Sequence, residues 1–533
     1  MLLDARDFES GTTLDADICV LGAGAAGVTL ARELVQGGFQ VCVLESGGLE
    51  YDDAAQDLYR AEASPEFFPD PQWSRLRYLG GATNHWEGNC SPLSEEDFKV
   101  RSWVPNSGWP FERAALDDAY VRANVYCEID AESILTIYNA PVTPPPPELS
   151  FKLGLAKTEI TKASPPTRFA ERWAPDLASA KNADLVLNAT AHSVALDAGQ
   201  TRIETVRAQV IGGGAFDVKA KYVCLCLGGI ENARMLKIWN AEHGNKLGDQ
   251  FDAVGRYFME HPLGEFAFIL PSAERAKYNL YAPGRSYNPN NGIGYMALTE
   301  KAQEENAAPG LRVPLMPVDK YYASDGISSY HLMTDSLSNG AAPDYMLRHV
   351  KNMVLDFDMV LEAVSRQVFR RKLFKEADDF TGFGSSMMIE QYPDRQNRIT
   401  LGEERDALGL RRSVVEWRVP ESEKEGVWRA VEAVGRDFAA SRHGRFRLLK
   451  ERDTRIWGSQ LSYGHHHMGT TRMAKSPETG VVDANAKVFG MENFYVGGSS
   501  VFPTGGHVPP TLTLVALAVR LADHLKQKMG APA

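Results

Sequence analysis

The sequence predicts an α/β (α+β) chain, and three observations carry that reading. From Asp17 to Glu45 a strand, a glycine turn, a helix and a second strand ending in an acid follow one another. From about Leu263 to Leu448 the texture changes: strand-like runs such as Ser385–Gln391 and Ser413–Trp417 mix with longer helices. At 533 residues the chain exceeds one simple core, so two intimately joined domains are expected.

The first element is the apolar run Asp17-Ile18-Cys19-Val20-Leu21, which ends in Gly22-Ala23-Gly24-Ala25-Ala26-Gly27. Val28–Leu34 then reads as a helix and Gln40–Glu45 as a buried strand. This is the context a Rossmann-like dinucleotide motif requires. The first glycine permits the tight turn, the second lets backbone approach a pyrophosphate, and the third lets helix and strand pack closely. The helix start offers unpaired N–H groups to phosphates. Glu45 is placed to accept a hydrogen bond from ribose hydroxyls.

Next comes a glycine-rich loop, Tyr78-Leu79-Gly80-Gly81-Ala82-Thr83-Asn84-His85-Trp86-Glu87-Gly88, suited to close passage along a flat ligand. Pro144 to Pro147 reads as a polyproline connector. Leu185–Ala189 and Tyr222–Leu227 read as buried strands, the second leading into Gly228-Gly229-Ile230-Glu231-Asn232-Ala233-Arg234 and a helix through Trp239. Asp344 to Lys375 looks helical, with a strongly basic end from Arg366 that reads as a solvated face or subunit contact.

The net charge of −12 argues against nucleic acid as a partner. Six cysteines without a CxxC pair read as buried free thiols in a reducing compartment. The start of the chain lacks a basic segment and an apolar h-region, so a cytoplasmic location is expected, with export beside a signal-bearing subunit left open. The apolar run Leu512–Ala522 is too short to span a bilayer.

Histidines and glycines concentrate near the end, in Tyr463-Gly464-His465-His466-His467-Met468-Gly469-Thr470-Thr471-Arg472-Met473 and in Gly497–Leu514. We read these as an active-site floor. On an extended backbone His465 and His467 would point one way and His466 the other, so the three could not grip one ion and no metal site is expected.

In their order, Gly22-Gly24-Gly27, Gly80-Gly81 through Trp86, Gly228–Arg234, Val254-Gly255-Arg256 with His261-Pro262, and the two C-terminal stretches resemble the glucose-methanol-choline (GMC) oxidoreductases, especially bacterial members acting on sugars and polyols. The resemblance implies an FAD-binding domain assembled from residues 1–262, with an excursion around 96–180, and 451–533. A substrate-binding domain of antiparallel sheet plus helices, residues 263–450, lies between them. It implies bound FAD, with Gly22, Gly24 and Gly27 at the pyrophosphate, Glu45 at the ribose, and Asn84 and His85 along the flavin. Ala25, Ala26, Ser46, Gly81, Ala191, Gly498 and Thr511 complete the implied cofactor contacts. A histidine matching His85 carries a covalent flavin in some members and not in others, and both remain open for His85.

Oxidising an alcohol needs a base within reach of the hydroxyl while the carbon faces the flavin. Aligning on Gly469-Thr470 singles out His466 as that base. The family places a His or Asn immediately before the Pro-Thr of its last helix, where this chain has Pro509. His507, two residues earlier, is the obvious substitute. The helix starting near Thr511 would turn its positive end toward the flavin. The implied function is oxidation of an alcohol or sugar, with oxygen or a quinone or cytochrome as acceptor and a homo-oligomer left open. The alternatives are a non-redox or light-driven use of the fold, as a lyase or decarboxylase, and the flavoprotein subunit of an electron-transfer complex.

Overall fold

A computed structural model describes residues 1–64, 70–129, 148–273, 275–282, 292–319, 324–338, 345–368 and 380–530. The expected polyproline connector, Pro144 to Pro147, lies outside them, as does most of the basic stretch after Arg366.

The first sheet is built on strands that are buried on both faces. Ile18, Cys19, Val20 and Leu21 are fully enclosed, as continuous apolar strands of parallel sheets must be. Its order is Leu2–Asp4, Ala183–Leu187, Val41–Leu44, Thr13–Leu21, Ala215–Leu225, Ile203–Gln209 and Thr190–Leu196. The first five strands run parallel and the last two are antiparallel. Phe494–Val496 joins from the far end of the chain, pairing parallel with the second half of Ala215–Leu225. Helix Ala25–Gln36 packs against helix Thr511–Met529, whose apolar run Leu512–Ala522 is largely buried in this core. Among the described residues no helix is long and apolar enough to cross a membrane. All six cysteines are buried and free.

The second sheet is antiparallel, in the order Ser462–Tyr463, Pro262–Glu265, Ser386–Ile389, Leu311–Val313, Ile293–Leu298, Ala156–Ala163 and Asn89–Cys90. A four-stranded antiparallel sheet, Met316–Asp319, Phe380–Gly384, Ala267–Pro271 and Gly444–Leu448, lies beside helix Glu421–Ala440, which also covers strands of the second sheet.

The helix anticipated from Asp344 is interrupted. It forms as Met346–Leu355 and Phe357–Val368, broken at Asp356. The Asp356 carboxylate accepts from Ser324 Oγ at 2.7 Å and from Gly326 N at 2.9 Å, so it caps the neighbouring helix Asp325–Ser338. An aspartate used as another helix's cap bends its own backbone away from the regular path.

Two buried ion pairs tie the sheets together. Arg101 and Glu390 are 1% and 0% exposed and form a two-point contact. His507 Nε2 lies 2.8 Å from Glu159 Oε2, joining the C-terminal loop to strand Ala156–Ala163. Burial alone would lower the His507 pKa, but Glu159 outweighs it and raises it. Burial alone would raise Glu159, but His507 and Lys157 hold it low. Removing one partner of such a pair typically costs about 3–5 kcal/mol, because the other charge stays buried. The His507 share is full below an unfolded histidine's pKa and fades as pH rises through the raised folded value; the Glu159 share is lost only in acid. Replacing His507 with Gln should therefore lower the denaturation midpoint most near pH 6. The gap to wild type should narrow toward pH 9, as followed by urea unfolding across that range.

Candidate active site

Four of the parallel strands deliver loops to the same crevice. A cavity of about 580 Å³ lies there, lined by Gly22–Ala26, Glu45 and Ser46, Cys226–Gly229, and Gly498 and Ser499, each just past a strand end. The lining also includes Leu263, Met388 and Tyr463–His467. Ligands of open α/β sheets bind at such strand ends.

The glycine turn has no room for a side chain at Gly22 or Gly27. Gly22 has φ +98°, and a Cβ on Gly27 would sit 1.8 Å from the Gly22 carbonyl oxygen. Gly24 faces open space and ends the loop without a side-chain cap, so the first N–H groups of helix Ala25–Gln36 are free to meet an anion. Glu45 accepts from Ala23 N at 2.8 Å and Gly47 N at 2.9 Å, and burial raises its pKa. Each of its oxygens keeps a second lone pair for a hydroxyl donor.

Beside it is a charge cluster that no sequence signal announced. Arg77 donates to Ser46 Oγ at 2.8 Å and to Glu231 at 2.6 Å, and Arg75 lies 3.5 Å from Glu231. Arg234 bridges Glu231 and Asp406. Three buried guanidinium groups thus meet the carboxylates of Glu231 and Asp406, and Arg77 also acts on the neighbouring Glu45. The Tyr59 ring lies 4.1 Å from both Arg75 and Arg77.

The far wall is histidine. His466 is half-buried, and its Nδ1 lies 2.8 Å from His261 Nδ1. His261 is fully buried, and its Nε2 lies 2.8 Å from the Gly506 carbonyl oxygen. Burial, then His261 and His467, hold His466 well below the usual histidine range, and burial lowers His261 to about 4. Glu260 Oε1 accepts the backbone N–H of His466 at 2.6 Å and of His261 at 2.8 Å. Burial raises the Glu260 carboxyl to about 8. Burial thus works against charge on each of these groups.

Of the anticipated cofactor residues, Gly22, Gly24, Ala25, Ala26, Glu45, Ser46, Gly81, His85, Gly498 and Thr511 line the cavity, and so does His466. Gly27 lies just beneath it, against Gly22. Asn84 is turned to the Leu79 carbonyl, and Ala191 sits on strand Thr190–Leu196, so neither is in the wall. The expected alternation of the three histidines does not hold. His465 has φ +56°, so the chain turns there, and all three reach the cavity. His507 does not reach it; Glu159 holds its ring elsewhere. Pro509 does line the cavity, and the imidazole beside His466 is that of His261. The sequence signal for His261 was the His-Pro pair, quoted above as part of a resemblance and not as a site.

The GMC oxidoreductase family model matches residues 393–518. The chain is 22% identical to the fructose dehydrogenase large subunit of Gluconobacter japonicus, over 96% of this chain and 98% of the relative. It is 24% identical to 2-methyl-1,2-propanediol dehydrogenase of Mycolicibacterium austroafricanum, over 96% of each. Among solved structures, a fungal aryl-alcohol oxidase superposes with TM-score 0.58 at 13% identity over 97% of this chain and 99% of that one. Pyridoxine 4-oxidase from Mesorbium loti superposes with TM-score 0.54 at 16% identity over 95% and 98%. The chain thus carries the C-terminal domain of the GMC oxidoreductases, a family that binds FAD, and is similar to relatives and folds of oxidoreductases over its full length.

Proposed function

We propose that the protein oxidises a CH–OH group of a sugar, glycoside or polyol to a carbonyl, with His466 as the base. The observation that carries this is a neutral imidazole in the wall of the cavity that also holds the dinucleotide cradle. The full-length relatives named for fructose and for a 1,2-diol support the substrate class.

FAD fits the residues present. The tight turn at Gly22 and Gly27, the free helix start and the nearby Arg75 and Arg77 suit a pyrophosphate, and Glu45 suits a ribose. Helix Thr511–Met529 also begins at the cavity without a side-chain cap, which suits a group that becomes negative. When bound, the flavin supplies a two-electron acceptor for the hydride that leaves the carbinol carbon. His466 takes the hydroxyl proton while the bonding pair stays on oxygen. His465, Tyr463, Leu263 and Met388 border the space left for the substrate.

The lyase or decarboxylase alternative rested on the loss of a polar side chain at Pro509. His261 supplies a second imidazole beside the base, which supports the oxidising reading. The acceptor, oxygen or a quinone or cytochrome, is read from reoxidation of the bleached enzyme with each in turn.

Anaerobic mixing of the holoenzyme with D-fructose, 2-methyl-1,2-propanediol and a panel of sugars should bleach the flavin with at least one of them. His466→Ala should slow that bleaching by at least about 100-fold with the flavin still bound. Bleaching at the wild-type rate would remove His466 as the base. Because burial keeps His466 neutral, the acid limb of the wild-type bleaching rate should lie below the ordinary histidine pKa of about 6.5, and a stopped-flow pH profile locates it.

A further inference from the structure

The contact between His466 and His261 joins Nδ1 to Nδ1 at 2.8 Å, the rings meeting edge to face at 84°. One hydrogen must lie between two nitrogens at that distance, and the surroundings decide which one carries it. The other nitrogen of His261, Nε2, lies 2.8 Å from the Gly506 carbonyl oxygen. A carbonyl only accepts, so His261 Nε2 bears a hydrogen. Both rings are held neutral by burial, and a neutral imidazole has a single N–H. His261 Nδ1 is therefore a lone pair, and the hydrogen between the rings belongs to His466 Nδ1. Every other assignment of the two neutral rings sets lone pair against lone pair or hydrogen against hydrogen, at Gly506 or between the imidazoles. The lone pair of His466 is left on Nε2, which no described residue engages.

We infer that His261 is a positioning residue that fixes His466 as the Nδ1–H tautomer and so holds Nε2 as the proton acceptor. This rests on the reading of His466 as the base. In the step it serves, the O–H bond of the alcohol breaks, an N–H bond forms at His466 Nε2, and the electron pair stays on oxygen. His261 relays no proton, because its own N–H is anchored on Gly506. It stabilises the imidazolium through the same Nδ1–H contact.

The geometry around the pair is built to hold it. One oxygen of Glu260 takes the backbone N–H of both histidines. A Cβ on Gly464 would sit 2.6 Å from His466 Nδ1, so glycine there admits the ring in this place. The other titratable or charged groups that bear on His466 are His465, His467, Glu260 and Arg312.

The test is nitrogen-15 NMR of histidine-labelled holoenzyme at pH 7.5, with the His466 signals identified by their loss in His466→Ala. Wild type should show His466 protonated at Nδ1 and bare at Nε2. His261→Asn, whose Oδ1 can accept where Nδ1 did, should keep that tautomer and bleach with the best sugar or diol of the panel within about 10-fold of wild type. His261→Phe should lose the fixed tautomer, slow bleaching by about 100-fold and move the acid limb to lower pH. A wild-type His466 protonated at Nε2, or a His466 tautomer and bleaching rate unaltered in His261→Phe, would overturn the inference. Wild-type bleaching in His466→Ala would instead overturn the base assignment, leaving the tautomer reading standing.

Discussion

The structure depends on a three-residue strand. Phe494–Val496 pairs in parallel with Val223–Leu225, and that register brings the end of the chain to the crevice formed near its start. Gly497 and Gly498 then emerge beside the loops that follow Leu21 and Leu225. A Cβ on Gly497 would lie 2.8 Å from Cys226 Sγ, so the approach is set by glycine. Asn232 locks it: its amide donates to the Gly497 carbonyl at 3.1 Å and to Ser500 Oγ at 2.8 Å, while its oxygen accepts Leu227 N–H at 2.7 Å. The stretch Gly228–Arg234 is thus a clamp, with Asn232 holding the C-terminal segment and Glu231 holding the arginines.

The two ends of the cavity are electrostatic opposites in kind. At the cradle, buried arginines and carboxylates are paired, with Arg77 between Glu231 and Ser46 and acting also on Glu45. Such pairs keep their charge because each partner offsets the other's burial. At the histidine wall, burial drives the acid up and the bases down. Opposite displacement of neighbouring titratable groups marks acid and base positions in enzymes.

What was legible in the sequence follows from range. The motif from Asp17 to Glu45 works through neighbouring residues, so its strand, turn, helix and acid could be read directly, and ten anticipated cofactor residues do line the cavity. The His466–His261 pair could not be read. The two residues meet because Pro262 pairs with Tyr463 and Leu263 with Ser462, in a strand contact too short to leave a pattern. Arg75 and Arg77 were illegible for a related reason: surface arginines and buried ones look alike until Glu231 closes on them. The alternation expected of the histidines failed at one residue, because the left-handed His465 makes a turn of what reads as a strand. His507 was misplaced because a glycine-flanked histidine near a helix start suggests a site, whereas its actual partner, Glu159, lies 348 positions away.

Proline at position 509 then has a simple consequence. A side chain there would approach the substrate from the start of the last helix, and proline supplies none that can bond. The second imidazole comes from beneath instead, on the segment before Pro262, and meets the base at Nδ1. A partner on the substrate side would share the hydroxyl with the base. A partner at the rear acts only on the base, and all of its effect passes through one hydrogen. Proton transfer puts a cation on His466, in a low-dielectric wall where an unsupported cation is expensive. The lone pair of His261 is the group already in place to receive it.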